Sequence, residues 1–275
     1  MGCAQIFLRQ CRGGDAGRFF LLRRAAWYYR PETMARKTSP QKPGLRPARR
    51  GLHRVRSLRA GLAWFALVSV LAVLAASLVH RVLPPSPTFY MKQEAHRLGG
   101  IDHAWVPISE VAPVMARAVV AAEDANFCLH WGFDMRAIRA VIERGETRGA
   151  STLSQQTVKN VYLWQERTWV RKALEAMMTP VIEAMWSKRR IIEVYLNIAE
   201  FDEGIFGIDA AAHHYFGVNP SDLSALQAAR LAAVLPNPKE RSASKPSNFV
   251  RERTAAIMDG AATIRRDGRS ACFED

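Results

Sequence analysis

Two adjacent acids interrupt an apolar stretch near the middle of the chain. Glu123 and Asp124 follow a run of small apolar residues in VVAAEDANFCLHWGFD, residues 119–134, and Phe127 and His130 come shortly after them. Because burying an ionised carboxylate without a partner is costly, a carboxylate at the edge of an apolar helix usually has a specific reason to be there. A helix end followed by a loop with a packed Phe and His is the simpler interpretation of this stretch alone.

A second stretch predicts an anion-binding site. GASTLSQQTVKN, residues 149–160, places Ser151 and Thr152 at the start of a helix, where free backbone N–H groups and the positive end of the helix dipole attract anions. One face of that helix then carries three polar residues, which are Gln155, Gln156 and Lys159. An ordinary capped amphipathic helix explains the same residues, so spacing alone leaves both interpretations open.

Two further stretches combine charged residues with helical spacing. ERTWVRKALE, residues 166–175, places Arg171, Lys172 and Glu175 within one turn of each other, and KRRIIEVYLN, residues 188–197, is basic at its start. Salt bridges on a surface helix, worth a few tenths of a kcal/mol each, explain the first equally well. Solvated basic residues on an amphipathic helix explain the second.

These stretches must be positioned by helices. Pro113 suits the first turn of a helix that ends near Glu123, and Thr152 with Gln155 forms a capping box. Further helix starts and breaks are expected at Asp134, Thr168, Ser187 and Ser221, with a kink or break at Pro180. After Asp134 we expect three residues to face inward, namely Met135, Ile138 and Ile142. No hydrophobic stretch alternates with period two for long enough to predict a sheet, so the fold class is all-α.

The net charge of +14 does not indicate a nucleic-acid binder. Residues 1–59 hold 15 Lys and Arg against two acids, whereas the rest of the chain is close to neutral. Residues 60–79 carry no charge, and twenty helical residues span about 30 Å, the thickness of a bilayer core. The sequence therefore predicts a basic cytoplasmic tail, a single type II transmembrane helix and an extracytoplasmic remainder.

Two smaller features concern the start of the chain and its cysteines. Met34 precedes the basic stretch next to the membrane, and we expect it to be the true start of translation. Residues 83–92 are expected to form a short stiff linker. Cys128 and Cys272 would face an oxidising compartment in a bacterium with a periplasm, but the sequence does not decide whether they pair.

In their order along the chain, these stretches resemble the peptidoglycan glycosyltransferases of glycosyltransferase family 51. The five motifs of the family read here EDANFCLHWG, GASTLSQQTVKN, RKALE, KRRIIEVYLN and, more weakly, GIDAAAHHYFG. The resemblance runs from about residue 90 to residue 258, and five matches in the same order are specific. It is strongest to the monofunctional members of the family.

The resemblance implies both a fold and a reaction. The fold is a lysozyme-like domain of two lobes, residues 93–265, whose smaller, membrane-proximal lobe has a hydrophobic surface that admits a lipid. The reaction polymerises lipid II into β-1,4 glycan strands of peptidoglycan with inversion, and undecaprenyl pyrophosphate leaves. The implied partners are lipid II and the growing glycan strand, at the bacterial inner membrane with the domain in the periplasm. Cell-division proteins are further candidate partners.

The resemblance also implies roles for individual residues. Glu123 matches the catalytic base, which takes the proton from the 4-hydroxyl of the acceptor sugar. Glu175 matches a second essential glutamate, which orients basic groups or helps to hold a divalent cation, Mg or Mn, near the diphosphate; no metal ligand is assigned. Lys159 and Arg167 match phosphate-contacting positions. The remaining substrate-binding candidates are Ser151, Thr152, Gln155, Gln156, Arg171 and Lys172.

Three other classes of protein share some of these features. A lytic enzyme could share the fold and a catalytic Glu, but it would not need Lys159 and Arg167 beside an anion site. A non-catalytic membrane scaffold would not need intact motifs. Ser242 to Lys245 matches the S-x-x-K motif of penicillin-binding proteins, but no K-T-G follows, so we expect no transpeptidase domain.

Overall fold

Helices make up most of the computed structural model, which describes residues 50–145, 149 and 151–274 and side chains from residue 58 onward. The α-helices in chain order are α1 Arg50–His80, α2 Phe89–Leu98, α3 Pro113–Glu123, α4 Met135–Glu143, α5 Leu153–Tyr162, α6 Trp169–Met185, α7 Lys188–Ile198, α8 Gly207–Phe216, α9 Ala225–Val234, α10 Asn248–Arg266 and α11 Ala271–Glu274. Short 3₁₀ turns occur at Ile108–Glu110, Phe127–Leu129 and Pro220–Asp222. The all-α class predicted from the sequence is confirmed.

Helix α1 contains an apolar span that is long enough to cross a membrane. The span runs from Leu58 to His80 with a mean hydropathy of 2.5, and large apolar side chains such as Trp64 and Phe65 are exposed along it. A transmembrane helix exposes such side chains because lipid surrounds it. The apolar helix predicted for residues 60–79 is confirmed, and the expected start at Met34 lies outside the described residues.

The end of this span is attached to the rest of the chain by hydrogen bonds. Trp186 donates from Nε1 to the carbonyl oxygen of Ser77 at 2.7 Å. Arg190 donates to the carbonyl oxygens of His80 at 3.0 Å and Leu83 at 2.8 Å. The last carbonyl groups of a helix have no partner within it, and Arg190 satisfies that of His80, while the carbonyl of Ser77 also accepts from the backbone N–H of Arg81. The region around Trp186 and Arg190 therefore lies directly where the apolar helix ends.

The linker is shorter than the one predicted for residues 83–92. Thr88 caps α2, because its side chain accepts a hydrogen bond from the backbone N–H of Met91, so the chain is already helical at Phe89. A Thr at this position satisfies an otherwise free N–H of the first turn.

The core is formed by two sets of helices. Helix α3 packs with α9 and α10, while α5 packs with α6 and α7. Met115 and Val119 of α3 and Ile191 and Leu196 of α7 are completely buried. Because Glu123 is the last residue of α3, the first set of helices determines where this carboxylate lies.

Most predicted helix starts are confirmed by their caps. Asp134, Thr168 and Ser187 each accept backbone hydrogen bonds at the start of α4, α6 and α7. The start expected at Ser221 was wrong, because Pro220–Asp222 forms a 3₁₀ turn and α9 begins after Ser224. Ser224 makes its own capping box with Gln227, and this local signal determines the start.

Pro180 does not break α6, which runs without interruption from Trp169 to Met185. Proline removes one backbone donor and usually kinks or ends a helix. Here Thr179 and Ile182, on either side of Pro180, are completely buried, and α6 packs along α5. Tertiary packing therefore outweighs the local effect of the proline.

The inward orientation expected for Met135 and Ile142 was wrong. Their exposed fractions are 54% and 70%, whereas Val141 is the buried residue of α4. Trp131, just before α4, is also largely exposed. The sequence pattern indicated an apolar face of α4 but not whether other parts of the protein bury it.

A small β-hairpin was not predicted. Strand β1, Glu200–Asp202, pairs antiparallel with β2, Ile205–Phe206. Strands this short cannot show the alternation by which sheets are recognised in a sequence.

Cys128 and Cys272 form a disulfide, which the sequence left undecided, with their Cα atoms 5.7 Å apart. It joins the 3₁₀ turn Phe127–Leu129 to α11. Phe127 and Phe273 also pack together, with ring centroids 6.4 Å apart. The loop that follows Glu123 is thus held against the C-terminal helix.

Candidate active site

Glu123 ends α3 with a carboxylate that has little contact with solvent. Its Oε2 accepts a hydrogen bond from Nε2 of Gln156 at 3.0 Å, and Arg253 lies 3.5 Å from Oε1. Among the described residues, Oε1 has no hydrogen-bond partner. Burial raises the pKa of Glu123, with Asp124 adding to the rise and Gln156 and Arg253 opposing it. The group can therefore accept a proton closer to neutral pH than an exposed glutamate does.

Asp124 has a structural position beside it. Oδ1 lies 2.8 Å from Nε2 of His130, and Oδ2 accepts a hydrogen bond from the backbone N–H of Leu153 at 3.0 Å. This carboxylate therefore joins the end of α3 to the start of α5 and fixes the loop through His130. The helix ends at Glu123 and Phe127 is completely buried, as the simpler interpretation of this stretch predicted.

The start of α5 is fixed by a capping box and by a glycine. Thr152 and Gln155 bond each other's backbone N–H groups, as predicted, and both residues are buried. Thr152 also donates to the carbonyl oxygen of Gly132 at 2.7 Å. Gly132 has a φ of +84°, and a Cβ there would lie 2.6 Å from Cγ2 of Thr179. Only glycine fits this close approach without a shift of α6.

A cationic pocket of about 590 Å³ lies between α5 and α6. Eight of the predicted site residues line it, namely Ser151, Gln155, Gln156, Lys159, Arg167, Arg171, Lys172 and Glu175. The other two, Glu123 and Thr152, line an adjoining pocket of about 290 Å³, with Ser151 common to both. The structure thus brings together residues from three separate motifs, with the two glutamates in neighbouring pockets.

Positive charge exceeds negative charge in the cationic pocket. Arg171 donates to Oε2 of Glu175 at 2.7 Å, and Lys172 pairs with Oε1 of the same carboxylate. No ion pair holds Lys159 or Arg167 within the part of the chain that the structure describes. Among the described lining residues, four cations therefore surround one carboxylate, an arrangement that favours a bound anion.

Lys159 is the least solvated of the unpaired cations. Its pKa is lowered, first by burial and then by the charges of Arg171, Arg167 and Lys172, while Glu175 opposes the shift. A bound anion would relieve the repulsion among these groups.

Sequence reasoning missed a tyrosine that orients Gln156. The hydroxyl of Tyr195 on α7 donates to Oε1 of Gln156 at 3.3 Å, which leaves the amide Nε2 to bond Glu123. Burial raises the pKa of Tyr195 well above its ordinary value, so the hydroxyl remains a donor. The position of Tyr195 inside the motif KRRIIEVYLN was the available signal.

A buried ion pair was also missed. Glu183 accepts hydrogen bonds from Ser154 and, at 2.8 Å, from Lys188, which also donates to the carbonyl oxygen of His130 at 2.9 Å. The ammonium of Lys188 lies 4.2 Å from the ring centroid of Phe127. The interpretation of KRRIIEVYLN as having solvated basic residues was therefore wrong for Lys188. Glu183 follows Glu175 at two helical turns, which placed both acids on one face of α6.

The cationic pocket does not by itself form a metal site. Both carboxylate oxygens of Glu175 already accept hydrogen bonds from Arg171 and Lys172. Between residues 58 and 274, gaps aside, no cluster of three His, Cys, Asp or Glu residues could hold a metal ion. The positive charge considered below is that of the pocket's Lys and Arg side chains.

Comparisons with known proteins place these motifs in a family. The family model described as Transglycosylase matches residues 92–262. A protein named Biosynthetic peptidoglycan transglycosylase, from Jannaschia sp. (strain CCS1), is 61% identical over 194 residues, covering 70% of this chain and 81% of that protein. Proteins of the same name from Rhodospirillum centenum and Caulobacter vibrioides are 47% and 44% identical, covering 82% and 79% of this chain and 96% of each relative.

Proposed function

The chain belongs to the transglycosylase family, and on that premise we propose that it polymerises lipid II into β-1,4 glycan strands and releases undecaprenyl pyrophosphate. It is a peptidoglycan glycosyltransferase, and its substrates are those of peptidoglycan synthesis. The boundaries of the catalytic domain, residues 93–265, and partners among cell-division proteins are further proposals.

The observation that carries the proposed reaction is the free oxygen of Glu123. Oε1 has no hydrogen-bond partner among the described residues, burial raises the pKa of this carboxylate, and its pocket adjoins the cationic pocket. Glu123 removes the proton from the acceptor 4-hydroxyl while that oxygen bonds to the anomeric carbon of the donor. The bond from that carbon to the pyrophosphate oxygen breaks in the same displacement, so the configuration inverts.

The cationic pocket is proposed to bind the leaving pyrophosphate. Negative charge develops on the departing oxygen, and fixed positive groups stabilise it most when they need not reorganise. Lys159 and Arg167 have no carboxylate partner in the described chain, so their charges are available to the phosphates. Glu175 holds Arg171 and Lys172 in place through its two oxygens.

The experiment that tests this function is incubation of the detergent-solubilised full chain with labelled lipid II. We expect glycan polymer and release of undecaprenyl pyrophosphate. Cleavage of preformed glycan without any polymer would instead indicate a lytic enzyme. Neither polymerisation nor cleavage would indicate a scaffold.

Glu175→Gln is expected to lower turnover by about 10²-fold without abolishing it. The neutral amide cannot pair with both Arg171 and Lys172, so two groups of the cationic pocket lose their fixed positions. Proton transfer does not involve this residue, so the shape of the pH profile should remain that of the wild type. Turnover near the wild-type value, with unfolding unchanged, would contradict the positioning role.

The catalytic domain is proposed to lie in the periplasm, anchored by α1 in the inner membrane. The basic excess before the apolar span predicts a cytoplasmic tail, and the disulfide between Cys128 and Cys272 suits an oxidising compartment. The exposed apolar residues Trp131, Met135 and Ile142 suit the lipid-admitting surface of the membrane-proximal lobe.

Protease added outside spheroplasts is expected to remove the domain after Arg81 and to leave the tail intact. The basic residues before the apolar span favour retention of that end in the cytoplasm. Immunoblots against each end of the chain measure the result. Digestion of the tail with protection of the domain would reverse the assignment.

A further inference from the structure

A second large cavity lies at the opposite end of α3 from Glu123. Its volume is about 590 Å³, and none of its lining residues lines the two pockets of the candidate active site. Its charged residues come from four helices, namely Arg117 of α3, Arg189 of α7, Arg265 of α10 and Glu274 of α11. We call it the arginine pocket.

The arginine pocket has more positive than negative charge. Arg117 pairs with Glu274, and Arg189 donates to the carbonyl oxygens of Phe273 at 3.1 Å and Glu274 at 3.3 Å. Within the described residues Arg265 makes no side-chain hydrogen bond or ion pair. Among the described residues that line the pocket, three guanidinium groups thus face one carboxylate, and because each guanidinium has five N–H donors, several donors remain for a ligand. Phosphate oxygens match this geometry well.

An apolar cleft of about 340 Å³ adjoins the arginine pocket and shares Val114, Arg117 and Arg265 with it. Its remaining lining residues are small or apolar, namely Ala118, Ala225, Ala229, Met258, Ala261 and Ala262. The two cavities together would fit a molecule with an anionic group at one end and a hydrocarbon part at the other.

The arginine pocket also lies close to the end of the membrane-spanning helix. Arg189 is in the first turn of α7, between Trp186 and Arg190, and both of these residues contact the end of the membrane-spanning helix. Its neighbour Arg190 donates to the carbonyl oxygens of His80 and Leu83, and Trp186 donates to that of Ser77. Lipid headgroups surround a transmembrane helix at this level. Phosphate groups attached to hydrocarbon chains are therefore the anions most concentrated near Arg189.

We propose that the arginine pocket binds the phosphate of an anionic phospholipid, with the first part of one acyl chain in the adjoining apolar cleft. The excess of positive charge selects a headgroup with net negative charge over a zwitterionic one. The cleft distinguishes a lipid from free phosphate, which shares only the charged end. This site is separate from the cationic pocket, so binding does not require turnover.

The test uses the full chain in a non-ionic detergent and measures binding by titration calorimetry. The probes are dihexanoyl phosphatidylglycerol, dihexanoyl phosphatidylcholine and inorganic phosphate. We expect the anionic lipid to bind more tightly than either of the others. Arg265→Gln should weaken its binding about tenfold, since the variant removes a charge-assisted contact. Arg266→Gln, which removes the same charge from the exposed neighbouring position, should leave binding unchanged.

A second variant tests the apolar cleft. Ala262 is exposed and lines the cleft, so Ala262→Leu should fold normally, occupy part of the cleft and weaken lipid binding severalfold while phosphate binding stays the same. Thermal unfolding of each variant checks the fold. Equal binding of both lipids, an equal loss in Arg266→Gln, or phosphate binding as tight as that of the anionic lipid would each overturn the proposal.

Discussion

Glu123→Gln is expected to reduce polymerisation of lipid II by about 10³-fold or more, because an amide cannot accept the proton of the acceptor hydroxyl. The substitution keeps the size of the side chain and an oxygen that Gln156 can still bond. Binding of lipid II should therefore survive while turnover is lost. The rate of polymer formation and the dissociation constant of labelled lipid II measure the two effects separately.

The matched control for this variant is Glu110→Gln, which removes an exposed carboxylate outside the two pockets of the candidate active site. It should polymerise lipid II at the wild-type rate. If Glu123→Gln fails to bind lipid II or unfolds at a clearly lower temperature than the wild type, Glu123 has a structural role and the proposed base must be sought elsewhere.

Lys159→Ala is expected to lower turnover by about 10²–10³-fold, the range found when one preorganised group is removed from developing charge. The ammonium of Lys159 is partly buried and surrounded by three other cations in the cationic pocket. The same low solvation that lowers its pKa strengthens its attraction to a bound phosphate. The loss should appear mainly in kcat, because the charge on the leaving group is greatest in the transition state.

Lys92→Ala provides the control, since Lys92 is an exposed lysine on α2 outside the cationic pocket. Its turnover should equal that of the wild type. Arg167→Ala should behave like Lys159→Ala. Near-normal turnover in both Lys159→Ala and Arg167→Ala would contradict the proposed contact between the cationic pocket and the phosphates, whatever the effect of the Glu123 substitution.

Local signals in the sequence predicted much of the fold. Caps such as Asp134 and Ser187 act through hydrogen bonds to residues two or three positions away, so the sequence contains all the information that they need. The apolar span of α1 is similarly evident from composition alone. Pro180 was misjudged because its local effect is opposed by packing between α5 and α6, which no local pattern reveals.

The candidate site was predicted in its residues but not in its contacts. Motif positions identified Glu123 and Lys159, yet only the fold shows that Tyr195 orients Gln156 toward Glu123. The ion pair between Glu183 and Lys188 was missed because charged residues on a helix are usually solvated. Ile142 was misjudged for the opposite reason, since an apolar residue usually packs inside the protein, whereas this side chain is exposed.

The measurement that tests the central claim most directly is the pH dependence of kcat/KM for the wild-type chain with lipid II. Only the ionised carboxylate of Glu123 accepts a proton, so activity should be low in acid and rise as the pH passes its pKa. Because burial raises that pKa, the rise should occur above the ordinary value for glutamate of about 4.3. A rate that stays flat from about pH 4 to 8 would contradict the assignment of Glu123 as the general base.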